Sequence, residues 1–137
     1  IKSSAASDVY KRQRFALTEE SSAHFTFKDR CLRLNEGDTQ LTLKQLSPVR
    51  LVKNEFFKQV EEAETRGASV EELRELLGKG RAKKGIFEGD IYEGEVEIGQ
   101  IASSVHSLKT AEEVIKELIN DFNAALKRTK EIPSFIL

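Results

Sequence analysis

The sequence predicts an α/β fold in which helices dominate and the strands are few and short. A capping box at Ser69 and Glu72 opens a run of residues with helical apolar spacing. A second capping box, at Thr110 and Glu113, opens the clearest helical pattern of the chain. Apolar and polar residues alternate in Gln40–Leu46, as they do in a half-buried strand.

Composition restricts the class of protein. The chain has 137 residues, is 39% hydrophobic and 33% charged, and carries a net charge of -1. This length fits one ordinary domain, and the charge gives no general reason to expect nucleic acid or an anionic membrane as a partner. Cys31 is the single cysteine, so no internal disulfide can form, and we expect a reducing, cytoplasmic compartment.

Glycine is concentrated in one stretch, Gly85–Val105. It holds four of the eight glycines, Gly85, Gly89, Gly94 and Gly99. Glycine tolerates backbone conformations that side chains forbid, so this density indicates turns or a close approach of the backbone to something else. A surface loop with a hairpin is the plainer interpretation. The alternative is a loop that enters a helix after Gly99 and presents free N–H groups to a ligand.

The other elements follow from periodicity and capping. In chain order we predict a strand at Arg14–Thr18, a helix at His24–Leu34 that buries Phe25, Phe27, Cys31 and Leu34, a strand at Gln40–Leu46 with Leu41 and Leu43 on one side, a helix capped by Asn54 that buries Phe56, Phe57, Val60 and Ala63, a helix at Val70–Leu77, and a final helix with an apolar stripe of Ala111, Val114, Ile115, Leu118, Ile119, Phe122 and Leu126. The strand at Arg14–Thr18 has no sequential partner, so its backbone groups need neighbours from elsewhere.

The N-terminal residues form a separate question. Methionine is absent, so we expect a chain that is processed or is a piece of something longer. Ile1–Gln13 has neither a helical nor a strand period. It resembles a tail that arises when library-adapter sequence is translated together with a protein. Our hypothesis is a non-native leader, which the same thirteen codons at the genomic locus would disprove.

Few residues suggest chemistry by themselves. Neither His24 nor His106 has a second histidine or cysteine at metal-ligand spacing, so no metal site is expected. His24 either contacts a ligand or is a helix-start histidine bonded locally, and the second interpretation is favoured. The basic loop Lys79–Lys84 lacks the phosphate-loop pattern, and a solvated linker is favoured over an anion or nucleic-acid site. A series of acidic residues lacks the spacing of a calcium-binding loop, so we interpret it as solvated. Its members are Glu88, Asp90, Glu93, Glu95 and Glu97.

From residue 14 onward the sequence resembles the flavin-dependent nitronate monooxygenase family (older name, 2-nitropropane dioxygenase), which includes the FMN-dependent enoyl-acyl-carrier-protein reductase. The segment RFALTEESSAH matches the family's last barrel strand and the loop after it, although Arg12-Gln13 replace the preceding Gly-Thr. The matching pairs there are Arg14-Phe15, Glu20-Ser21 and Ala23-His24. Similar segments come later in the same order at Pro48-Val49-Arg50, Lys53-Asn54, Gly89-Asp90, Glu93-Gly94 and Gly99-Gln100.

The resemblance implies a fold. It is the C-terminal piece of a TIM-type (β/α)8 barrel, containing the last strand and the closing helix, with an inserted and mostly helical cap domain. The implied division is a leader at 1–13, the last barrel strand and its loop at 14–24, the cap domain at 25–94, the return to the barrel with its closing helix at 95–128, and a tail at 129–137.

The resemblance also implies an activity. The whole enzyme would use FMN to oxidise alkyl nitronates with O2 to carbonyl compounds and nitrite, or alternatively to reduce an enoyl thioester with NAD(P)H. A homodimer is one candidate assembly. The implied FMN-binding residues are Arg14, Phe15, Gly99 and Gln100, and the implied substrate-pocket residues are Glu20, Ser21 and His24.

The family's catalytic histidine lies upstream, so we assign no catalytic residue here and expect no turnover from this chain alone. An alternative of another class is a small helical module that binds anions or nucleic acid through Lys79–Lys84. The unpaired strand and the missing methionine favour the piece of an oxidoreductase over this module.

Overall fold

Helices supply most of the regular structure in the computed structural model, which describes residues 12–131. The elements are helical residues 12–16, α1 (Phe25–Leu32), β1 (Thr39–Thr42), β2 (Val49–Val52), α2 (Glu55–Thr65), α3 (Val70–Leu77), a π-helical turn (Lys83–Phe87), a 3-10 helix (Gln100–Ser104) and α4 (Ala111–Lys130). Within these residues no helix has the length and apolarity needed to cross a membrane. Most of the predicted leader and the end of the predicted tail lie outside the described residues.

The strand predicted at Arg14–Thr18 is wrong. Residues 12–16 are helical, and in the part of the chain that the structure describes a single parallel bridge joins Thr18 to Lys109. The Glu19 N–H extends this contact by donating to the Lys109 carbonyl at 3.0 Å. A strand needs a neighbour along its length, and this segment has one only at its end. Helical hydrogen bonds satisfy the backbone groups of residues 12–16 locally instead.

Side-chain caps set where three helices begin, as the sequence predicts. The Asn54 side chain accepts a backbone N–H from the first turn of α2 at 2.9 Å. Ser69 and Glu72 make both bonds of a capping box at α3. Thr110 and Glu113 do the same at α4. These caps act within one helical turn, which is why the sequence alone reveals them.

The sheet gains a third partner from the glycine-rich stretch. β1 and β2 form an antiparallel hairpin. Residues 95–98 run beside β2, where Leu51 and Glu97 form an antiparallel bridge. The Val52 N–H donates to the Val96 carbonyl at 3.0 Å. The alternation of apolar and acidic residues in this segment therefore places its apolar residues on one face of a sheet.

The strand predicted at Gln40–Leu46 is shorter than expected. β1 ends at Thr42 because Leu43 adopts the left-handed conformation with φ 53°. This turn rotates the chain, so Leu41 is 41% exposed whereas Leu43 is buried, and the two do not share a face. The strand β2, which begins directly after Pro48, was not predicted at all.

Two apolar cores lie on opposite sides of this small sheet. The core that packs against α1 and the 3-10 helix consists of Leu17, Phe27, Cys31, Leu34, Val52, Val96, Ile98, Ala102 and Val105. The core that packs against α2 and α3 consists of Leu43, Leu51, Phe56, Phe57, Val60, Ala63, Ala68 and Leu73. Adjacent residues of β2 belong to different cores because side chains alternate across a strand. The first core includes residues on both sides of the predicted boundary between 94 and 95.

Several residues predicted to be buried are exposed. Phe25 is 70% exposed at the start of α1. The apolar stripe of α4 is present, but within it only Val114 is buried, at 1% exposure. Its exposed members are Ile115, Leu118, Ile119, Phe122 and Leu126. The described residues therefore leave one face of α4 without a packing partner.

The glycine-rich stretch is only in part a surface loop, which corrects the plainer interpretation. Gly85 and Gly94 are buried where two backbone segments cross, here called the glycine crossing. A side chain on Gly85 would overlap the backbone of Glu95, and a side chain on Gly94 would overlap Gly85. Close approach of backbone, the feature that dense glycine predicts, is therefore present between parts of the protein itself.

The substitution Gly85→Ala is expected to destabilise the fold by about 2–4 kcal/mol, since the added methyl group meets the backbone carbonyl of Glu95. Urea unfolding followed by circular dichroism measures this change. Ser104→Ala, at an exposed position of the 3-10 helix, is the control and should change the unfolding free energy by less than about 0.5 kcal/mol. An unchanged midpoint for Gly85→Ala would disprove the glycine crossing.

Candidate functional site

The residues that the family resemblance identifies meet where residues 12–24 pack against residues 99–117, here called the junction. The guanidinium of Arg14 donates to the Ser107 carbonyl at 3.2 Å. It also lies 3.7 Å from the carboxylate of Glu117. Arg14, predicted to bind FMN, is therefore bound to protein groups on the far side of the junction.

Glu117 pairs with two positive charges of the junction. Its carboxylate contacts Lys109 and Arg14. The hydrogen bond from Lys109 lowers the pKa of Glu117, and the charge of Arg14 lowers it further. Because Glu117 lies in the second turn of α4, these contacts fix the helix against the N-terminal segment.

The other predicted FMN residues differ in exposure. Phe15 is 38% exposed and Gln100 is exposed, whereas Gly99 is buried beneath the Gln13 side chain. A methyl group on Gly99 would overlap the Gln13 amide, so the lack of a side chain at residue 99 allows Gln13 to lie close to this backbone. Gln13 itself is 6% exposed, so this end of the predicted leader packs with the fold. This contact was not predicted because Ile1–Gln13 was excluded from the predicted fold.

Glu20, a predicted substrate-pocket residue, contacts the first residue of α4. Both oxygens of its carboxylate accept the Ala111 N–H, at 3.0 and 2.9 Å. A carboxylate there satisfies a free N–H and interacts favourably with the positive end of the helix dipole. Glu20 therefore joins the loop after residue 18 to the helix that comes after the glycine-rich stretch.

Ser21, also predicted for the pocket, belongs to a tight turn. Its N–H donates to the Thr18 carbonyl at 3.3 Å, and its hydroxyl accepts the Ala23 N–H at 3.3 Å. Both contacts are local to the turn. The Ser21 hydroxyl thus stabilises the backbone of its own turn.

Lys28 is a polar residue of this region that was not predicted from the sequence. It lies on α1 and is only 6% exposed. Its ammonium donates to the carbonyls of Glu19 at 3.1 Å and Ser21 at 2.8 Å. The one signal in the sequence is its position three residues before the buried Cys31, on the inward face of the helix.

His24 caps α1, in agreement with the locally bonded interpretation. Its Nδ1 accepts the Thr26 N–H at 3.1 Å, so the neutral ring carries its proton on Nε2. The His24 N–H donates to the Ile86 carbonyl at 2.8 Å. The ring lies directly on the backbone of Gly89, where φ is 79° and a side chain would overlap the imidazole. His24 therefore packs on the first residue of Gly89-Asp90, one of the pairs on which the family resemblance is based.

Asp90 shapes the turn that begins at Gly89. Its carboxylate accepts the N–H groups of Glu93 at 2.9 Å and Tyr92 at 3.2 Å. The hydrogen bond from Glu93, with a smaller contribution from Tyr92, lowers the pKa of Asp90. This carboxylate stabilises a turn, and no calcium loop is needed to explain it.

Glu95 was predicted to be solvated and is buried, with 6% exposure. Burial raises the pKa of Glu95 to about 8, together with the hydrogen bond and charge of Glu97 and against the opposing effect of Arg81. Burial thus favours the protonated form of Glu95, whose side chain is hydrogen-bonded to Glu97. The prediction failed because the burial of this side chain depends on packing that the local residue pattern does not reveal.

The basic loop Lys79–Lys84 directs its arginine inward. Arg81 donates to the carbonyls of Leu76 at 3.1 Å and Glu93 at 2.8 Å. Its guanidinium also lies 4.5 Å from the centre of the Phe56 ring. These contacts give Arg81 a structural role, so nothing in them favours binding of anions or nucleic acid.

Three further features involve none of the predicted site residues. Burial raises the pKa of the Cys31 thiol to about 12, which keeps it protonated and unreactive. Among residues 12–131, no three His, Cys, Asp or Glu side chains converge as metal ligands. A groove of about 240 Å³ between α2 and α3 is lined by Gln59, Glu62, Ala63, Arg66, Glu72 and Leu76.

Comparison with known proteins agrees with the sequence resemblance. The family model for nitronate monooxygenase matches residues 3–121. The chain therefore belongs to the nitronate monooxygenase family, and the predicted family is confirmed. A comparison with curated proteins gave no match.

Solved structures share the fold. FabK from Thermotoga maritima matches with a TM-score of 0.78 and 23% identity, over 87% of this chain and 38% of FabK. A mutant of the same protein matches with a TM-score of 0.72 and 22% identity, over 87% of this chain and 35% of the mutant. The chain thus spans well under half the length of these relatives.

Stability is expected to fall as the pH rises from about 5 to about 8, because folded Glu95 keeps a proton up to about pH 8 whereas the unfolded chain releases it near the ordinary value of 4.5. The stabilisation from protonated Glu95 is complete below the unfolded pKa of 4.5. It is lost as the pH rises through the folded pKa of about 8. Urea midpoints measured across this range test the prediction. Glu95→Gln should flatten the dependence, whereas the exposed control Glu75→Gln should leave it unchanged. A wild-type dependence equal to that of Glu95→Gln would contradict it.

Proposed function

We propose that this chain is the C-terminal part of an FMN-dependent oxidoreductase that oxidises alkyl nitronates with O2 to carbonyl compounds and nitrite. The observation that carries the proposal is the family match over residues 3–121. FMN would supply the redox chemistry, and the protein would bind it and orient the substrate. Since the chain spans 38% of FabK, the catalytic histidine and most of the phosphate loops are expected on other segments of the whole enzyme.

The junction contains groups that fit a phosphate-bearing cofactor. Arg14 provides a permanent positive charge at the edge of the junction. Gly99 leaves a space that a side chain would fill, and the Gln13 amide occupies it here. We propose that Arg14, Phe15, Gly99 and Gln100 contact FMN in the whole enzyme. Glycine at residue 99 would then allow the cofactor to reach the backbone.

The neighbouring loop would face the substrate. Glu20 and Ser21 lie in the N-terminal segment of the junction, and His24 follows them as the cap of α1. These residues already bond to the backbone, which fixes their side chains in defined orientations. We propose that they position the nitronate and leave proton transfer to groups on the rest of the enzyme.

The exposed face of α4 supports the proposed barrel. Its large apolar side chains are between 43% and 66% exposed. A helix with one wide apolar face normally packs it against other protein. We propose that α4 is the closing barrel helix, that residues 25–94 form the cap domain, and that residues 95–128 return to the barrel.

The alternative activity within the family is the reduction of an enoyl thioester with NAD(P)H, again through FMN. The likeness to FabK, at 23% identity, supports a common fold and does not distinguish the two reactions. The acidic sequence Gly89–Gln100 resembles chains that oxidise nitronates, so that activity is proposed first.

The complete reading frame, expressed from the genomic locus, is expected to show the visible absorption spectrum of bound FMN. Purified protein would then be assayed with an alkyl nitronate and O2, and separately with an enoyl thioester and NAD(P)H. Nitrite formation is the expected result, and residues 14–137 alone should give neither activity. A colourless, folded protein would disprove the proposed function, and enoyl reduction without nitrite formation would favour the alternative.

The substitution Phe122→Lys is expected to destabilise the complete enzyme by about 2–4 kcal/mol, because it places a charge on the face proposed to contact the barrel. The same change should have little effect on residues 1–137 alone, where the side chain is 66% exposed. Asn120→Lys, on the opposite face of α4, is the matched control and should be tolerated in both. Equal, small effects in both proteins, measured by thermal unfolding, would argue against α4 as a barrel helix.

A further inference from the structure

Lys28 is buried without the partner that a buried ammonium usually has. It is 6% exposed, and among the described residues no carboxylate lies within ion-pair distance of it. Lysine is seldom buried unless its charge is compensated. Here the compensation comes from two backbone carbonyls, those of Glu19 and Ser21. Because burying a charge costs free energy, we infer that these two hydrogen bonds have a specific role.

The two carbonyls flank Glu20 on either side. Lys28 thus holds the backbone before and after the residue whose carboxylate binds the Ala111 N–H. A continuous line of contacts runs from α1 through this loop to the first residue of α4. Because the ammonium bonds to both sides, it restricts rotation of the peptide groups that aim the Glu20 side chain.

We propose that Lys28 is a positioning residue, which fixes the Glu19–Ser21 loop so that Glu20 holds the start of α4 and the loop keeps its shape toward the substrate pocket. The second part of this role rests on the proposed function. A compact ammonium suits the site because it reaches two carbonyls with separate N–H groups, whereas a planar guanidinium needs more room.

Loss of the ammonium has a defined consequence. Lys28→Met keeps the length and apolar stem of the side chain but leaves two carbonyls without their donor. The local bonds of Ser21 to Thr18 and Ala23 would remain, so the turn would persist in a looser form. Glu20 would then spend less time on the Ala111 N–H.

The test compares Lys28→Met with Lys58→Met in the complete enzyme. Lys58 is an exposed lysine of α2 paired with Glu55, so its change removes the same charge without touching the loop. Hydrogen exchange of peptides covering residues 108–114 reports on the Ala111 N–H, and steady-state kinetics with an alkyl nitronate separates KM from kcat. For Lys28→Met we expect exchange faster by about tenfold and KM higher by about tenfold, with kcat changed less than about threefold. Lys58→Met should leave all three unchanged.

A double-mutant cycle shows whether Lys28 acts through Glu20. The variant with Lys28→Met and Glu20→Ala together should exchange no faster at Ala111 than Glu20→Ala alone, because residues that act in series are not additive. Fully additive effects would overturn the proposal.

The outcomes separate this inference from the proposed function. Wild-type exchange at Ala111 in Lys28→Met overturns the inference, and faster exchange with unchanged KM overturns its substrate-pocket part. Faster exchange in a protein that lacks flavin and turnover supports the Lys28 link while it refutes the proposed function. If Lys28→Met does not fold, NMR of the wild-type ammonium decides: couplings to the carbonyl carbons of Glu19 and Ser21 support the role, and their absence overturns it.

Discussion

The fold depends on one close backbone contact, the crossing of Gly85 with Gly94. Only residues without side chains allow two buried backbone segments to approach this closely. The crossing turns the chain so that residues 95–98 reach β2, which carries Val96 into the first core. Without it the hairpin would have no third partner and the apolar faces on either side of it would not close.

The junction orients α4 through polar contacts. Contacts with Arg14, Glu20 and Lys109 fix the first turns of α4, while the apolar stripe of that helix points away. Charged contacts with exposed groups contribute little individually, but several of them set a unique orientation. These contacts therefore give α4 a defined orientation relative to the N-terminal segment.

Features that are determined locally could be predicted from the sequence, and features that depend on distant contacts could not. The starts of α2, α3 and α4 were predicted because each cap acts within one turn. The strand at Arg14–Thr18 failed because its hydrogen-bond partners would have to come from far along the chain. Glu95 was misjudged and Lys28 was overlooked, since only packing of distant segments shows that either side chain is buried. The family resemblance was found because it rests on the order of short motifs along the sequence, which does not depend on predicting how the segments pack.

The raised pKa of Glu95 has a consequence for the energetics of folding. Because folding raises the pKa of this carboxyl, the folded chain binds more protons there near neutral pH than the unfolded chain does. Folding is therefore coupled to proton uptake, and the proton comes from the buffer. The heat of unfolding measured by calorimetry includes the ionisation enthalpy of that buffer, so phosphate and Tris should give different apparent enthalpies for the same structural change.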